Sequence, residues 1–291
     1  MYQKYSYRVI LCGSVIQIYT YDQTMARIIQ DAENACEPDP VGEGMESIIE
    51  EESISDDMIF SDKTGNTSAE ESYKRLPQSV SRCKRNLRRL LWANICQYDE
   101  EDKFVTLTFA DDENGNPPTR KKVFNEFKRF KKKFCRQYGY NFEHIMIVEK
   151  GEQETHRLHI HFIAFGLPYI NKKNLEKMWG CGYVWISKVN TYEDVVKYLL
   201  KYVEKTLEDD YIPKGARFYS CSKGLKKPIE YLLDDEHMEE FLQEHELGRC
   251  KCNLQGYNDF IGRYWFNEYI NMEKLQMKQQ FQEDRQFTIT I

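Results

Sequence analysis

The sequence has no cysteine pair at the Cys-x-x-Cys spacing, although it holds nine cysteines. The number is odd and the closest pair is Cys250 and Cys252. A disulfide framework and a zinc knuckle are therefore both unexpected, and reduced thiols in a cytosol fit the pattern. Long apolar runs are lacking too: no window approaches the roughly 18 apolar residues that a membrane helix needs. The first residues lack the charged start, apolar run and small-residue cleavage site of a secretory leader, so a cytoplasmic protein with no membrane partner is expected. Histidine is scarce, at six in 291 residues, and three of the six crowd into HRLHIHF, residues 156–162.

What is present supports a sizeable core, since 41% of residues are hydrophobic and 14% aromatic. The net charge of −6 argues weakly against a nucleic-acid partner, but the charge is unevenly spread. Residues 31–72 hold 14 acidic residues against Lys63 alone, a charge of −13 that leaves +7 on the rest. Residues 26–72 are expected to be an acidic linker with one short helix near Ile48. Residues 1–25 contain two strand-like runs around Gly13-Ser14, a hairpin expected to pack on the main domain.

Two basic amphipathic helices follow. In QSVSRCKRNLRRLLWANICQ (78–97), Lys84, Arg85, Arg88 and Arg89 load one side and Leu87, Leu90, Leu91 and Ile95 the other, so the four cations are candidate DNA contacts. In RKKVFNEFKRFKKKFCRQ (120–137), Thr119 is the expected cap and Phe124, Phe127, Phe130 and Phe134 the core stripe. Strands are expected at 103–112, 144–149, 156–165 and 183–189, with helices at 171–179 and about 192–207. The resulting order indicates an α+β fold, an antiparallel central sheet with flanking helices in the ferredoxin-like, RRM-like style. The main domain is placed at 73–230, and 231–291 is expected to be a helical accessory region.

Alternation along a strand puts His159 and His161 on one face and Ile160 and Phe162 on the other. Two imidazoles on one face can hold a divalent cation. If the strand ending at Glu149 forms a hairpin with the histidine strand, its carboxylate joins them. His156 has the opposite phase and is expected at the edge of the site; His144 is expected to be structural.

In YEDVVKYLLKYVEK (192–205), Val196, Leu199, Leu200 and Val203 make the apolar stripe, and Tyr198 and Tyr202 lie well away from it. Lys201 and Lys205 share the side of the tyrosines. Ammonium groups there would favour a phenolate and attract phosphate, and a phenol near a metal-polarised phosphodiester can attack phosphorus.

These stretches, FVTLTFADD, HRLHIHF and YLLKYVEK in that order, resemble the HUH endonucleases that initiate rolling-circle replication of small plasmids and phages, of the two-tyrosine kind. FYSCSKGLKKP (218–228) is similar to the segment that follows the tyrosine helix in such initiators. The resemblance covers roughly residues 80–230. It implies an HUH fold, Mg²⁺ or Mn²⁺ held by His159, His161 and the carboxylate of Glu149, and Tyr198 and Tyr202 as nucleophiles with Lys201 beside them. It further implies single-stranded origin DNA with an adjacent hairpin as substrate, a 5′-phosphotyrosine intermediate, a bacterial host cell, and a host helicase or polymerase as partner. A two-tyrosine transposase shares this chemistry. A non-catalytic nucleic-acid-binding module would instead show aromatics on an exposed sheet face and have no use for the paired histidines.

Overall fold

The computed structural model describes residues 2–28, 69–95, 102–112, 115–150, 158–189, 196–201 and 219–271. It is an α+β protein with two five-stranded antiparallel sheets, assigned to two compact units.

Helix α1 (Ala69–Asn94) takes in the first basic segment. Leu87, Leu90 and Leu91 are buried as expected, but Arg89 is only 7% exposed. Burial of the last turns goes beyond the leucine stripe, so Arg89 is withdrawn from the set open to solvent, whereas Arg85 is exposed and Lys84 and Arg88 are half-buried.

The larger unit holds the sheet made of β3 (Lys103–Thr108), β4 (Glu143–Lys150), β5 (Leu158–Phe165), β6 (Val184–Lys188) and β7 (Ser220–Cys221), ordered β6-β3-β5-β4-β7. Helices α2 (Arg120–Tyr138) and α3 (Lys172–Trp179) are the crossovers from β3 to β4 and from β5 to β6. Each crossover skips one strand, so the sheet is the split βαβ arrangement of ferredoxin-like proteins with β7 added at one edge. A further helix, α4, is described over residues 196–201. Local signals set the helix ends. Thr119 accepts from the Lys122 N–H and Gly139 closes α2 in the left-handed conformation (φ 77°), while Asn171 and Gly180 do the same for α3.

One face of this sheet is the core. Val105, Leu107, Met146, Val148, Leu158, Ile160, Phe162, Ala164 and Val184 point from the strands into Val123, Phe127, Phe130 and Phe134 of α2 and Leu175, Met178 and Trp179 of α3. Val123 takes the place expected for Phe124, which is half-buried with the Arg120 guanidinium 5.2 Å over its ring. His144 is structural: buried among Phe127 and Phe142, its Nδ1 lies 2.7 Å from Ser222 Oγ and 3.1 Å from Lys131 Nζ. Burial and the Lys131 charge hold His144 well below the usual histidine range.

The smaller unit corrects two expectations about domain organisation. The N-terminal hairpin exists, β1 (Tyr2–Cys12) and β2 (Val15–Ile28), with Gly13 at φ 59° in its two-residue turn. However, its partners are C-terminal strands. β8 (Ile229–Leu233), β9 (Leu247–Asn258) and β10 (Gly262–Asn271) complete a sheet ordered β8-β1-β2-β10-β9. The expected helical accessory region is therefore mostly strand, with one helix, α5 (Asp235–Glu244), whose Met238 and Phe241 pack on Val9, Ile16 and Ile18. The aromatic run RYWFNEY favours a pleated surface, and the turn glycine Gly262 (φ 71°) joins it to β9.

Most of the acidic linker, including Ile48, lies outside the described residues, as do His156, Tyr202, Lys205 and residues 272–291. Among the described residues no helix is long and apolar enough to cross a membrane.

Candidate metal and nucleophile site

The second face of the larger sheet carries polar residues in two rows. Cross-strand register places Thr108 and Glu149 on either side of His159, and Thr106 and Ile147 on either side of His161. β6 extends the second row with Trp185 opposite Thr106. The hairpin of β4 and β5 thus brings Glu149 to the histidines, in keeping with its position before the turn.

His161 is the best-defined member. It is buried, and its Nε2 lies 2.9 Å from Glu149 Oε2 while its Nδ1 lies 3.0 Å from Thr106 Oγ1. The Thr106 hydroxyl can serve either tautomer. It donates to Nδ1 when Nε2 carries the proton for Glu149, and it accepts from Nδ1–H when Nε2 is left bare. The Phe104 ring stacks alongside His161, at 6.0 Å between centroids and 17° between planes.

Helix α4 supplies the phenol. Val196 and Leu199 are buried and Lys197 and Lys201 exposed, so the helix is oriented as its wheel suggests. Tyr198 is 45% exposed, and its ring meets Phe104 edge-on at 5.2 Å and His161 at 6.3 Å. The tyrosine therefore packs on the site itself rather than in the aliphatic core.

His159 stands one ring from His161, 6.1 Å between centroids and 26° between planes. Among the described residues no group of three His, Cys, Asp or Glu side chains converges closely enough to hold a metal ion. The pair that is formed does fit one. The Nε2 to Oε2 separation of 2.9 Å in His161 and Glu149 is close to the ~3.0 Å between adjacent ligands of an octahedral ion with ~2.1 Å bonds. An imidazole nitrogen and a carboxylate oxygen suit Mn²⁺ or Mg²⁺. His159 would have to turn toward them to become a third ligand.

Sequence reasoning did not single out Thr106, Phe104, Tyr183 or Trp185. The alternation of Thr106 with Val105 and Leu107 is visible in the chain, and it places the hydroxyl on the polar face. Its bond to His161 depends on which strand lies next to β3, and the run itself does not reveal that.

No curated protein and no solved structure matches the chain. Residues 102–207, about a third of the chain, match the family model for replication-associated proteins of the ORF2 type, a span that runs from β3 to the residues after α4. The matched span contains His159, His161, Glu149 and Tyr198, and it supports a role in starting DNA replication.

Proposed function

We propose that the protein starts rolling-circle replication by nicking one strand of origin DNA and later rejoining it through a 5′-phosphotyrosine. The observation that carries this reading is a single contact set: His161, bonded to Glu149 on one side and Thr106 on the other, with the Tyr198 ring 6.3 Å away. His161 and Glu149, with His159, would hold Mg²⁺ or Mn²⁺, and the ion would supply polarisation of the phosphodiester.

The chain's own groups do the rest. Tyr198, or Tyr202 one turn on, gives up its phenolic proton and its oxygen attacks phosphorus. The new bond is Oη–P; the bond that breaks is P–O3′, and the leaving 3′ oxygen takes up a proton. Attack by a 3′ hydroxyl on the tyrosyl phosphate reverses these steps and seals the strand. Exposed Lys201, three residues after Tyr198, lies on the same side of the helix and can meet the phosphate. Arg85, with Lys84 and Arg88, would add sequence-independent phosphate contacts. An unpaired substrate is required, because a phenol approaches a stacked duplex backbone poorly.

The test is covalent capture. Labelled single-stranded oligonucleotides tiling the DNA around the gene are incubated with the protein and Mn²⁺, then run on a denaturing gel. Wild type should form an adduct with one of them. The double variant Tyr198→Phe, Tyr202→Phe should form none yet still bind, and His161→Ala should lose metal-dependent cleavage. An adduct from the double variant would overturn the nucleophile assignment. Wild-type protein that shifts the oligonucleotides but is captured by none would instead indicate a binding module.

A further inference from the structure

Two large aromatic side chains on the site-bearing face remain without a role. Tyr183 is 79% exposed and Trp185 65% exposed. They are two residues apart, so along an extended chain they point the same way. That direction is the site's: Trp185 is opposite Thr106, which is opposite His161, and the Tyr183 backbone bonds to Thr108, which is opposite His159. β6 is the edge strand of its sheet, and it holds its place through the Thr108–Tyr183 bonds and the buried Val184 between the two rings.

Two such rings side by side leave in water the apolar surface that aromatics normally bury. Other apolar residues of this face, Phe104, Ile145, Ile147 and Ile163, are all buried. The neighbourhood is also selective in charge. Exposed Lys197 and Lys201 lie on the helix whose Tyr198 covers Phe104 and His161. Flat rings next to ammonium groups suit a ligand with a π-face and a negative backbone, which describes an unpaired nucleic-acid strand.

We infer that Tyr183 and Trp185 form a stacking platform for unpaired DNA bases next to the scissile phosphate. Two inter-strand steps separate β5 from β6, so Trp185 stands about 9.5 Å from the histidine row. That is within about three stacked nucleotides at ~3.4 Å each. The platform would hold the flanking bases while the phosphate lies over His161 and Tyr198. Stacking of this kind is tolerant of sequence, so it fixes the position of the strand and leaves origin recognition to other contacts. The inference rests on the proposed single-strand substrate but not on the covalent chemistry.

The experiment measures binding without cleavage. Fluorescence anisotropy of labelled oligothymidylate is followed in excess chelator for wild type, Trp185→Ala, Tyr183→Ala and Trp185→Phe. Alanine at either position should weaken binding by about five- to 150-fold, phenylalanine should restore most of it, and a duplex probe should be nearly indifferent. Both side chains are exposed, so thermal unfolding should be unchanged. With a captured oligonucleotide, Trp185→Ala should raise KM and leave the single-turnover rate at saturation within about twofold. Unchanged oligothymidylate affinity in both alanine variants overturns the platform, whatever the capture assay shows. Absence of any adduct from wild type overturns the nicking reading and leaves the binding result standing.

Discussion

Thr106→Val tests the site at its least exposed point. Valine keeps the shape of threonine and exchanges the hydroxyl for a methyl group. His161 is 6% exposed, and its Nδ1 would lose the partner now 3.0 Å away. An unsatisfied buried nitrogen costs about 1–3 kcal/mol. The loss should appear in urea unfolding as a lower midpoint with an unchanged slope. It should also appear in metal binding. Without the hydroxyl, the ring loses its support for the tautomer that leaves Nε2 bare, and removing such a supporting bond typically weakens metal affinity by about 10–100-fold. Mn²⁺ titration followed by calorimetry reads this directly, and Thr106→Ser should recover most of the affinity. If Thr106→Val binds Mn²⁺ as tightly as wild type, the hydroxyl does not prepare His161 for a cation, and Thr106 is an ordinary strand residue.

Two further outcomes concern the frame. Burial pushes Lys131 down to about 8 against the pull of Glu143. Between that value and the ~10.4 of an unfolded lysine, the unfolded chain holds a proton the folded chain lacks, so this residue makes stability rise with pH, by on the order of 3 kcal/mol across the window. Cys83 and Tyr21, both raised to about 12 by burial, work in the opposite direction at the alkaline end. The difference between wild type and Lys131→Met in urea unfolding isolates the lysine, and a difference that stays flat from about pH 8 to 10.5 rejects the assignment. Gly182→Ala should cost about 1–3 kcal/mol, because a Cβ there would lie 2.4 Å from the Thr108 carbonyl oxygen, where β6 joins β3. Unchanged thermal stability in that variant would show that the close approach is absent in solution.

Most of the catalytic half was legible in the chain because its signals are local. The His159–His161 alternation, the place of Glu149 before a short turn, the Thr119 cap and the apolar stripe of α2 each depend on neighbours a few residues away. What escaped depends on distant pairing. The buried Gln17–Glu268 hydrogen bond, at 2.8 Å, joins residues 251 positions apart, and nothing in RYWFNEY announces that its partner is the N-terminal hairpin. Arg89 escaped for a related reason: a helical wheel shows a polar side, but not how far the surroundings close over it. Tyr183 and Trp185 read as ordinary strand aromatics until the sheet order puts β6 at an edge.

The direction of the site residues is imposed by the opposite side of the sheet. Leu158, Ile160 and Phe162 are each no more than 1% exposed and alternate with His159 and His161. Sliding β5 by one residue would turn every side chain to the other face. It would drive two imidazoles into the aromatic cluster of α2 and α3, and it would bring the three apolar side chains out of the core. At ~1.5–3 kcal/mol for each side chain, the slip forfeits about 5–9 kcal/mol before the cost of burying the imidazoles is counted. That is comparable with the whole stability of an ordinary domain, ~5–15 kcal/mol. Met146 and Val148 lock β4 in the same way and thereby aim Glu149. The reactive face therefore needs no interactions of its own to keep its orientation, and its residues are free to be chosen for chemistry. Substitutions at Thr106, His159, His161, Glu149 or Trp185 should accordingly change binding and reaction far more than they change the fold, whereas Phe162→Ala should cost about 3–5 kcal/mol and disturb both.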